Sequence, residues 1–343
     1  MKFKKFNSIE NSYQEKFIES IYENGFDSMN YVVQEKVHGA NFSFITDGKE
    51  IKIAKRTDFI EKEENFYNSY FILEKYKEKV IALFEFLAET KQIQTLTVFG
   101  ELFGGGYPHK DVPRDNTAKL VQKGIYYHKE NDFFAFDILL DNVNYLEVEE
   151  ANELFENFDF IFAKTLFKGT LEACLTFENT FKTTIPTFYN LPEIEGNICE
   201  GVIIRPEKAT FFPGGSRVLI KNKNEAWSEN NGFIDRELLH KTISGIDKEI
   251  SEELKNLCEK AITYISENRL NNVISKIGEI KSRKEFGKIL GMYNKDILQD
   301  FEKENELYKS LEKQNRKIVS KIINERASKL VEAYFTTIFE ETI

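Results

Sequence analysis

Few cysteines, no long apolar run and no surplus of positive charge set the first limits on this 343-residue chain. The three cysteines, Cys174, Cys199 and Cys258, are widely separated, which excludes a paired zinc motif and argues against a disulfide framework. No apolar stretch approaches the ~18 residues that a membrane-spanning helix needs. The opening residues, Met1-Lys2-Phe3-Lys4-Lys5, lead into polar sequence and not into the core of a signal peptide. A soluble, cytoplasmic protein is therefore the expectation. Internal repeats and low-complexity linkers are absent, and so is a G-x-x-x-x-G-K-[ST] phosphate loop. The run Gly104-Gly105-Gly106 lacks the Lys-Ser/Thr that such a loop requires and reads as a flexible loop. Lys and Arg number 47 against 57 Asp and Glu, a net charge of -10. Polyanion binders are usually basic, so a nucleic acid could dock only where cations concentrate. Local clusters exist at Lys52, Lys55 and Arg56; at Lys110, Arg114, Lys119 and Lys123; at Arg217, Lys221 and Lys223; and at Lys281, Arg283, Lys284 and Lys288.

What is present describes a folded chain. Hydrophobic residues make up 41% and charged residues 30%, and the 31 Phe must largely fill a core. Up to about residue 235, short segments rich in Val, Ile, Phe and Thr are bounded by Gly, Asp or Asn, the pattern of strands. They are Tyr31–Val33, Ala40–Ile45, Ile51–Ala54, Thr95–Phe99, Phe133–Leu140, Gly201–Arg205 and Val218–Ile220. Helical spacing of apolar residues predicts helices over Glu64–Thr90 and Leu146–Asn157. Beyond Asp235 there is no Pro, and amphipathic helices are predicted over Asp247–Asn268, Asn272–Ile280, Lys284–Leu290 and Lys295 to the end, with Gly278 and Gly291 as helix ends or corners. The fold class is α+β: residues 1–235 form antiparallel sheets with helices, and residues 236–343 form a smaller all-α domain.

The chemistry begins at Glu35-Lys36-Val37-His38-Gly39-Ala40-Asn41-Phe42, where a lysine lies between a strand and a glycine turn. A lysine amine attacks only when unprotonated, which burial and neighbouring cations promote. Gly39 permits close approach of the backbone to a ligand. A lone K-x-x-G is common, so its weight comes from the ordered motifs downstream of it. These are Lys55-Arg56-Thr57, Phe99-Gly100-Glu101-Leu102, Phe133-Phe134-Ala135-Phe136-Asp137, Cys199-Glu200-Gly201-Val202-Ile203-Ile204-Arg205 and Val218-Leu219-Ile220-Lys221-Asn222-Lys223.

That ordered set resembles the covalent nucleotidyltransferase superfamily of DNA ligases, RNA ligases and capping enzymes, with an ATP-grasp-like ligase adenylation domain. It is most similar to the RNA ligase 2 family. Gly100-Glu101-Leu102-Phe103-Gly104-Gly105-Gly106-Tyr107-Pro108-His109 is similar to the trypanosome editing-ligase branch. Ser8-Ile9-Glu10-Asn11 and the stretch from Arg269 to Glu279 are similar to the phage double-strand ligase branch. The resemblance implies an ATP-dependent RNA ligase that joins 3′-OH and 5′-phosphate ends at nicks in duplex or bridged RNA. Lysyl-AMP and RNA-adenylate would be its intermediates, ATP and Mg²⁺ (or Mn²⁺) its cofactors, and a monomer is favoured.

By the same resemblance Lys36 is the nucleophile, and Glu35, Val37 and Asn41 belong to the nucleotide pocket. His38 acts after lysine adenylylation and Arg56 faces the nucleotide and the incoming 5′-phosphate. Glu101 accepts from the ribose hydroxyls, and Phe136 stacks on adenine, with Phe133 and Phe134 as rivals. Asp137 anchors a nearby loop. Glu200 positions a divalent metal or its water, and Lys221 and Lys223 hold the α-phosphate and assist pyrophosphate departure. Arg269 and Asp296 serve RNA in the later steps. The segment from Tyr107 to Tyr127 is longer than in the phage branch and either contacts substrate or elaborates a loop. DNA ligases and capping enzymes carry a β-rich domain after the last lysine motif, whereas this chain turns helical. An ATP-dependent DNA ligase, a GTP-dependent capping enzyme, a catalytically silent RNA-binding scaffold and a self-adenylylating damage-signalling component are the alternatives.

Overall fold

The computed structural model describes residues 1–64, 66–229 and 251–340, the last without the side chain of residue 340. Two compact units divide between Trp227 and Ser228; the boundary drawn from sequence at Asp235 lies outside the described residues, as do residues 247–250 of the first helix predicted beyond it. Among the described residues no helix is long and apolar enough to cross a membrane.

The first unit holds two five-stranded sheets. One orders β1 (Glu10–Asn11), β10 (Ile220–Lys223), β9 (Gly201–Pro206), β2 (Tyr31–Glu35) and β8 (Thr165–Gly169). The other orders β4 (Ile51–Lys55), β3 (Ala40–Thr46), β5 (Leu96–Gly104), β6 (Asn131–Leu140) and β7 (Asn144–Tyr145). All pairs are antiparallel except β1 with β10, which is parallel.

Alternation of side chains along a strand decides what each face does. In β3, Ala40, Phe42 and Phe44 enter a core shared with the helix Ser69–Lys91 through its Ile72, Tyr76, Val80, Leu83 and Leu87. Asn41 lies on the opposite face. In β6, Phe133 and Ala135 enter that core, whereas Ile138 and Leu140, an odd number of residues further on, also do so. The register explains the slip: Phe99 pairs with Asp137 and Gly100 with Ala135, leaving Phe136 as the extra residue of a β-bulge. Gly100 is required there, because a Cβ would lie 2.4 Å from the ring of Phe133 and from the carbonyl oxygen of Phe134.

The triple glycine is not the flexible loop expected from composition. Gly104 is the last residue of β5 and pairs with Asn131. At Gly105, with φ +90°, a Cβ would meet Lys119 O at 2.1 Å, so the glycine lets two backbones touch. The segment beyond it is stitched down: Gly104 N donates to Gln122 Oε1 at 3.0 Å, and Asn131 exchanges hydrogen bonds with the Lys119 backbone.

The second unit is helical, with helices Glu252–Thr263, Glu267–Ile277, Phe286–Glu304, Glu306–Ser310 and Lys313–Glu340. The predicted helix through Asn268 breaks earlier, because the Ser266 hydroxyl accepts from Arg269 N and starts a new helix there. Gly278, at φ +100°, ends that helix as predicted. Gly291 does not: it lies inside Phe286–Glu304 on the exposed side. Ile289, Tyr293, Ile297 and Phe301, spaced four apart and buried, carry the helix through the ~1 kcal/mol that a helical glycine costs.

Candidate active site

Lys36 follows directly on β2, and its amide still donates to Gly201 O on β9 at 2.9 Å. Its side chain is 19% exposed, with Nζ 2.6 Å from Glu200 Oε2. His38 Nδ1 lies 3.3 Å from the same oxygen, and Lys223 Nζ lies 2.8 Å from Glu200 Oε1. One fully buried carboxylate is thus shared by three basic side chains. Burial alone would push the Glu200 carboxyl up; Lys223, Lys36 and His38 outweigh it and hold the group well below the usual carboxylate range.

Lys36 carries this cluster to the wall of a pocket of about 600 Å³, partly open to solvent and lined from both sheets. Asn41 and Glu101 face each other across β3 and β5. Glu101 Oε2 is buried and has no hydrogen-bond partner. Burial pushes its carboxyl up to about 7 against the pull of Lys36 and Arg56. Arg56, just beyond β4, is itself brought below its ordinary value by burial, with Glu101 opposing. Two carboxylates in one pocket are therefore set apart, Glu200 firmly ionised and Glu101 near neutrality.

Of the three phenylalanines offered by the sequence, Phe133 is excluded: it is buried in the opposite core against Phe42, Phe44 and Tyr76. Phe134 and the bulge residue Phe136 both line the pocket. Phe136 is the more open of the two, and Arg205 Nη2 donates to its carbonyl at 3.1 Å. Asp137, expected to anchor a loop, is fully buried and binds two arginines through Oδ2, Arg205 at 2.8 Å and Arg217 at 2.6 Å.

Glu35 lines the pocket. Its carboxylate accepts from the Thr183 hydroxyl and from the Thr184 amide and hydroxyl. The side chain braces the loop that follows Phe181. Val37 is buried beside it and lines the pocket. Lys221 and Lys223 share one face of β10 by the two-residue period of a strand. Arg269 and Asp296 belong to the second unit, 2.9 Å apart; Asp300 Oδ2, at 2.7 Å, and Glu229 Oε2, at 3.7 Å, join them, and neither was singled out from sequence.

Sequence reasoning also missed Phe6 and Ile9, which line the pocket, and Tyr127 and Trp227, which hold His38. Nothing in the local pattern around Phe6 marks it; it is found only through its ring contacts, with Phe136 at 4.9 Å and Phe99 at 5.1 Å.

A divalent cation finds no cage among these side chains. Both Glu200 oxygens are engaged by cations, and among the described residues Glu101 is the only other carboxylate with a free oxygen at the pocket. Mg²⁺ usually keeps several waters and rides on substrate phosphates, so the residues fit a metal that enters with a triphosphate, which Glu200 would meet through a bound water. In the second unit the carboxylates of Glu229, Asp296 and Asp300 lie within 4.8 Å of one another, but Arg269 occupies their centre.

Residues 29–223 match the family model described as RNA ligase, and residues 248–329 match that described as T4 RNA ligase 2 C-terminal. The mitochondrial RNA-editing ligase 2 of Trypanosoma brucei brucei is 27% identical, covering 89% of this chain and 84% of that protein. The mitochondrial RNA-editing ligase 1 of Trypanosoma brucei brucei is also 27% identical, covering 84% of this chain and 73% of that protein. Among solved structures, a mutant of Naegleria gruberi RNA ligase described as bound to ATP and Mn superposes with a TM-score of 0.46 at 17% identity. That alignment covers 66% of this chain and spans 57% of the solved one.

Proposed function

This chain belongs to the RNA ligase family, in its RNA ligase 2 branch, and from that membership we propose that Lys36 carries AMP covalently while RNA ends are joined. The protein is an ATP-dependent RNA ligase of nucleotidyltransferase fold. The observation that supports the finer reading is the sharing of Glu200 by Lys36, His38 and Lys223 at the rim of a pocket that also holds the unpartnered oxygen of Glu101 and the ring of Phe136.

Adenine enters between the bulge of β6 and the N-terminal segment and lies on Phe136. Glu101, ionised, accepts from the ribose hydroxyls with the oxygen that has no protein partner. Lys221, Lys223 and Arg56 take the phosphates. An ammonium paired with a carboxylate is not a nucleophile, so Lys36 must part from Glu200 before it attacks. As the phosphates draw away Lys223, Lys36 leaves Glu200, gives up its proton to solvent water and attacks the α-phosphorus; the P–O bond to pyrophosphate breaks as the N–P bond forms. A divalent metal, when bound, screens the triphosphate charge. AMP then passes to a 5′-phosphate end, and a 3′-hydroxyl attacks that phosphorus and expels AMP. His38 and Arg56 serve this second half. We place the ends at a nick in duplex or bridged RNA, whose A-form shape and 2′-hydroxyls offer recognition without sequence.

The test is incubation of the purified chain with α-labelled ATP, GTP or NAD and Mg²⁺, followed by mass spectrometry of the peptide that contains residue 36. A single AMP on Lys36 from ATP alone is expected, with no adduct in Lys36→Ala. Labelling by GTP, or an adduct that survives Lys36→Ala, overturns the reading. Comparing nicked RNA with nicked DNA separates an RNA ligase from a DNA ligase.

A further inference from the structure

We infer that Trp227, the only tryptophan of the chain, is a positioning residue that fixes the His38 imidazole for the steps after Lys36 has taken up AMP. The inference rests on the proposed role of His38 in sealing. It starts from an imidazole that is only 5% exposed and held on three sides. The backbone amide of His38 donates to the Tyr127 hydroxyl at 2.9 Å, Nδ1 faces Glu200 at 3.3 Å, and the indole of Trp227 lies with its centroid 4.7 Å from the imidazole centroid, tilted by 52°.

The first two contacts leave the ring free to swing about its own bonds: one is made by the backbone, and the other is a single long contact to an oxygen already claimed by Lys36. The indole lies against the imidazole and closes off a swing toward its side. Two features show that the surroundings are built to this ring. Gly124, at φ +83°, leaves room for it, since a Cβ there would lie 3.2 Å from Cη2 of Trp227. Trp227 is also tied to the backbone of Glu200 through Asn224. Its amide donates to Asn224 O at 3.1 Å, while Asn224 N donates to Glu200 O at 3.1 Å and Asn224 Nδ2 donates to Cys199 O. Backbone hydrogen bonds thus fix the turn that carries the indole against the segment that carries Glu200. The indole's ring contact is with His38, while it also packs on the apolar cluster of Val37, Tyr127 and Phe134; we expect the later steps to depend on it more than the first.

The experiment separates those halves in Trp227→Ala and Trp227→Phe. Step one is read as the rate of AMP uptake by Lys36. The later steps are read as sealing of a nicked RNA already carrying 5′-adenylate. Trp227→Ala is expected to take up AMP within about threefold of the wild type and to seal roughly 10- to 100-fold more slowly, the scale of a misplaced reacting group. Trp227→Phe restores most of the sealing, because a phenyl ring still walls the imidazole. The double variant Trp227→Ala/His38→Ala is no slower than His38→Ala alone, the non-additivity of two residues acting as one. The emission of the single tryptophan changes in His38→Ala. Equal losses of AMP uptake and sealing in both Trp227 variants would mean that the indole only supports the fold, and additive losses in the double variant would mean that it acts apart from His38; either overturns the proposal. If His38→Ala itself seals pre-adenylated RNA normally, the reading of His38 fails. If His38→Ala is defective and Trp227→Ala is not, the positioning role alone fails.

Discussion

Each unit of this enzyme is organised around buried charge, with the signs reversed. In the first unit an acid is surrounded by bases: Glu200 by Lys36, His38 and Lys223, and Asp137 by Arg205 and Arg217. In the second unit a base is surrounded by acids: Arg269 by Glu229, Asp296 and Asp300. Burial works against the charge of Arg269, yet Glu229, Asp300 and Asp296 outweigh it and hold the guanidinium more firmly protonated than usual. The two arrangements differ in what a phosphate can do to them. Lys36, among the cations around Glu200, lines an open pocket, and in the proposed mechanism these cations trade a carboxylate for a phosphate. Arg269 is 1% exposed, so reaching it means displacing carboxylates first. The same chemistry, a charge-assisted hydrogen bond in low dielectric, serves exchange in one unit and closure in the other.

The strongest way to break this contrast is at Asp137. Asp137→Asn leaves two buried guanidiniums without a counter-charge, and we expect a loss of about 3–5 kcal/mol, read as a lower midpoint in urea. Arg269→Met should cost about 3 kcal/mol for the reverse reason, three acids facing one another. Here the signs give a second readout: the vacated carboxylates can take a cation, so millimolar Ca²⁺ should restore thermal stability to Arg269→Met and not to Asp137→Asn. A smaller effect sharpens the difference between the two pocket acids. Because the folded Glu101 carboxyl sits near 7, above its unfolded value, the fold binds a proton that the unfolded chain releases. That contribution is full at low pH and is lost as pH rises through about 7. Glu101→Gln should therefore gain about 1–2 kcal/mol over the wild type at pH 8 while losing nucleotide affinity, and wild-type ATP affinity should fall as pH drops below 7, both measurable by calorimetry. The smallest expected change compares two glycines. Gly291→Ala should stabilise the second unit by about 0.5–1 kcal/mol, whereas Gly100→Ala should disrupt the bulge that presents Phe136.

The strands were legible because their residues are β-branched or aromatic and their boundaries are Gly, Asp or Asn; Lys36, Glu101, Glu200 and Lys223 could be placed together because each sits on or beside one of them. What escaped was long-range. The slip that turns Phe136 toward the pocket depends on how β5 and β6 register, which no single segment encodes. The fate of the Glu35 carboxylate depends on Thr183 and Thr184, nearly 150 positions away. Gly104 and Gly105 looked loose because composition does not reveal that another backbone lies against them. In the helical unit the four-residue spacing around Gly291 was the better guide, and the glycine itself misled. The net charge of -10 was a warning about the whole chain; the basic side chains that matter gather on one buried carboxylate.

The parallel pairing of β1 with β10 joins Glu10 to Ile220 and Asn11 to Lys221. With Phe6 and Ile9 just ahead of it, this puts a segment translated early and almost the last segment of the unit on the same rim. At a synthesis rate of roughly 5–20 residues per second, a ribosome must work for some tens of seconds between making the two. A chain cut short before β10 lacks Lys221 and Lys223 and is expected to take up little AMP.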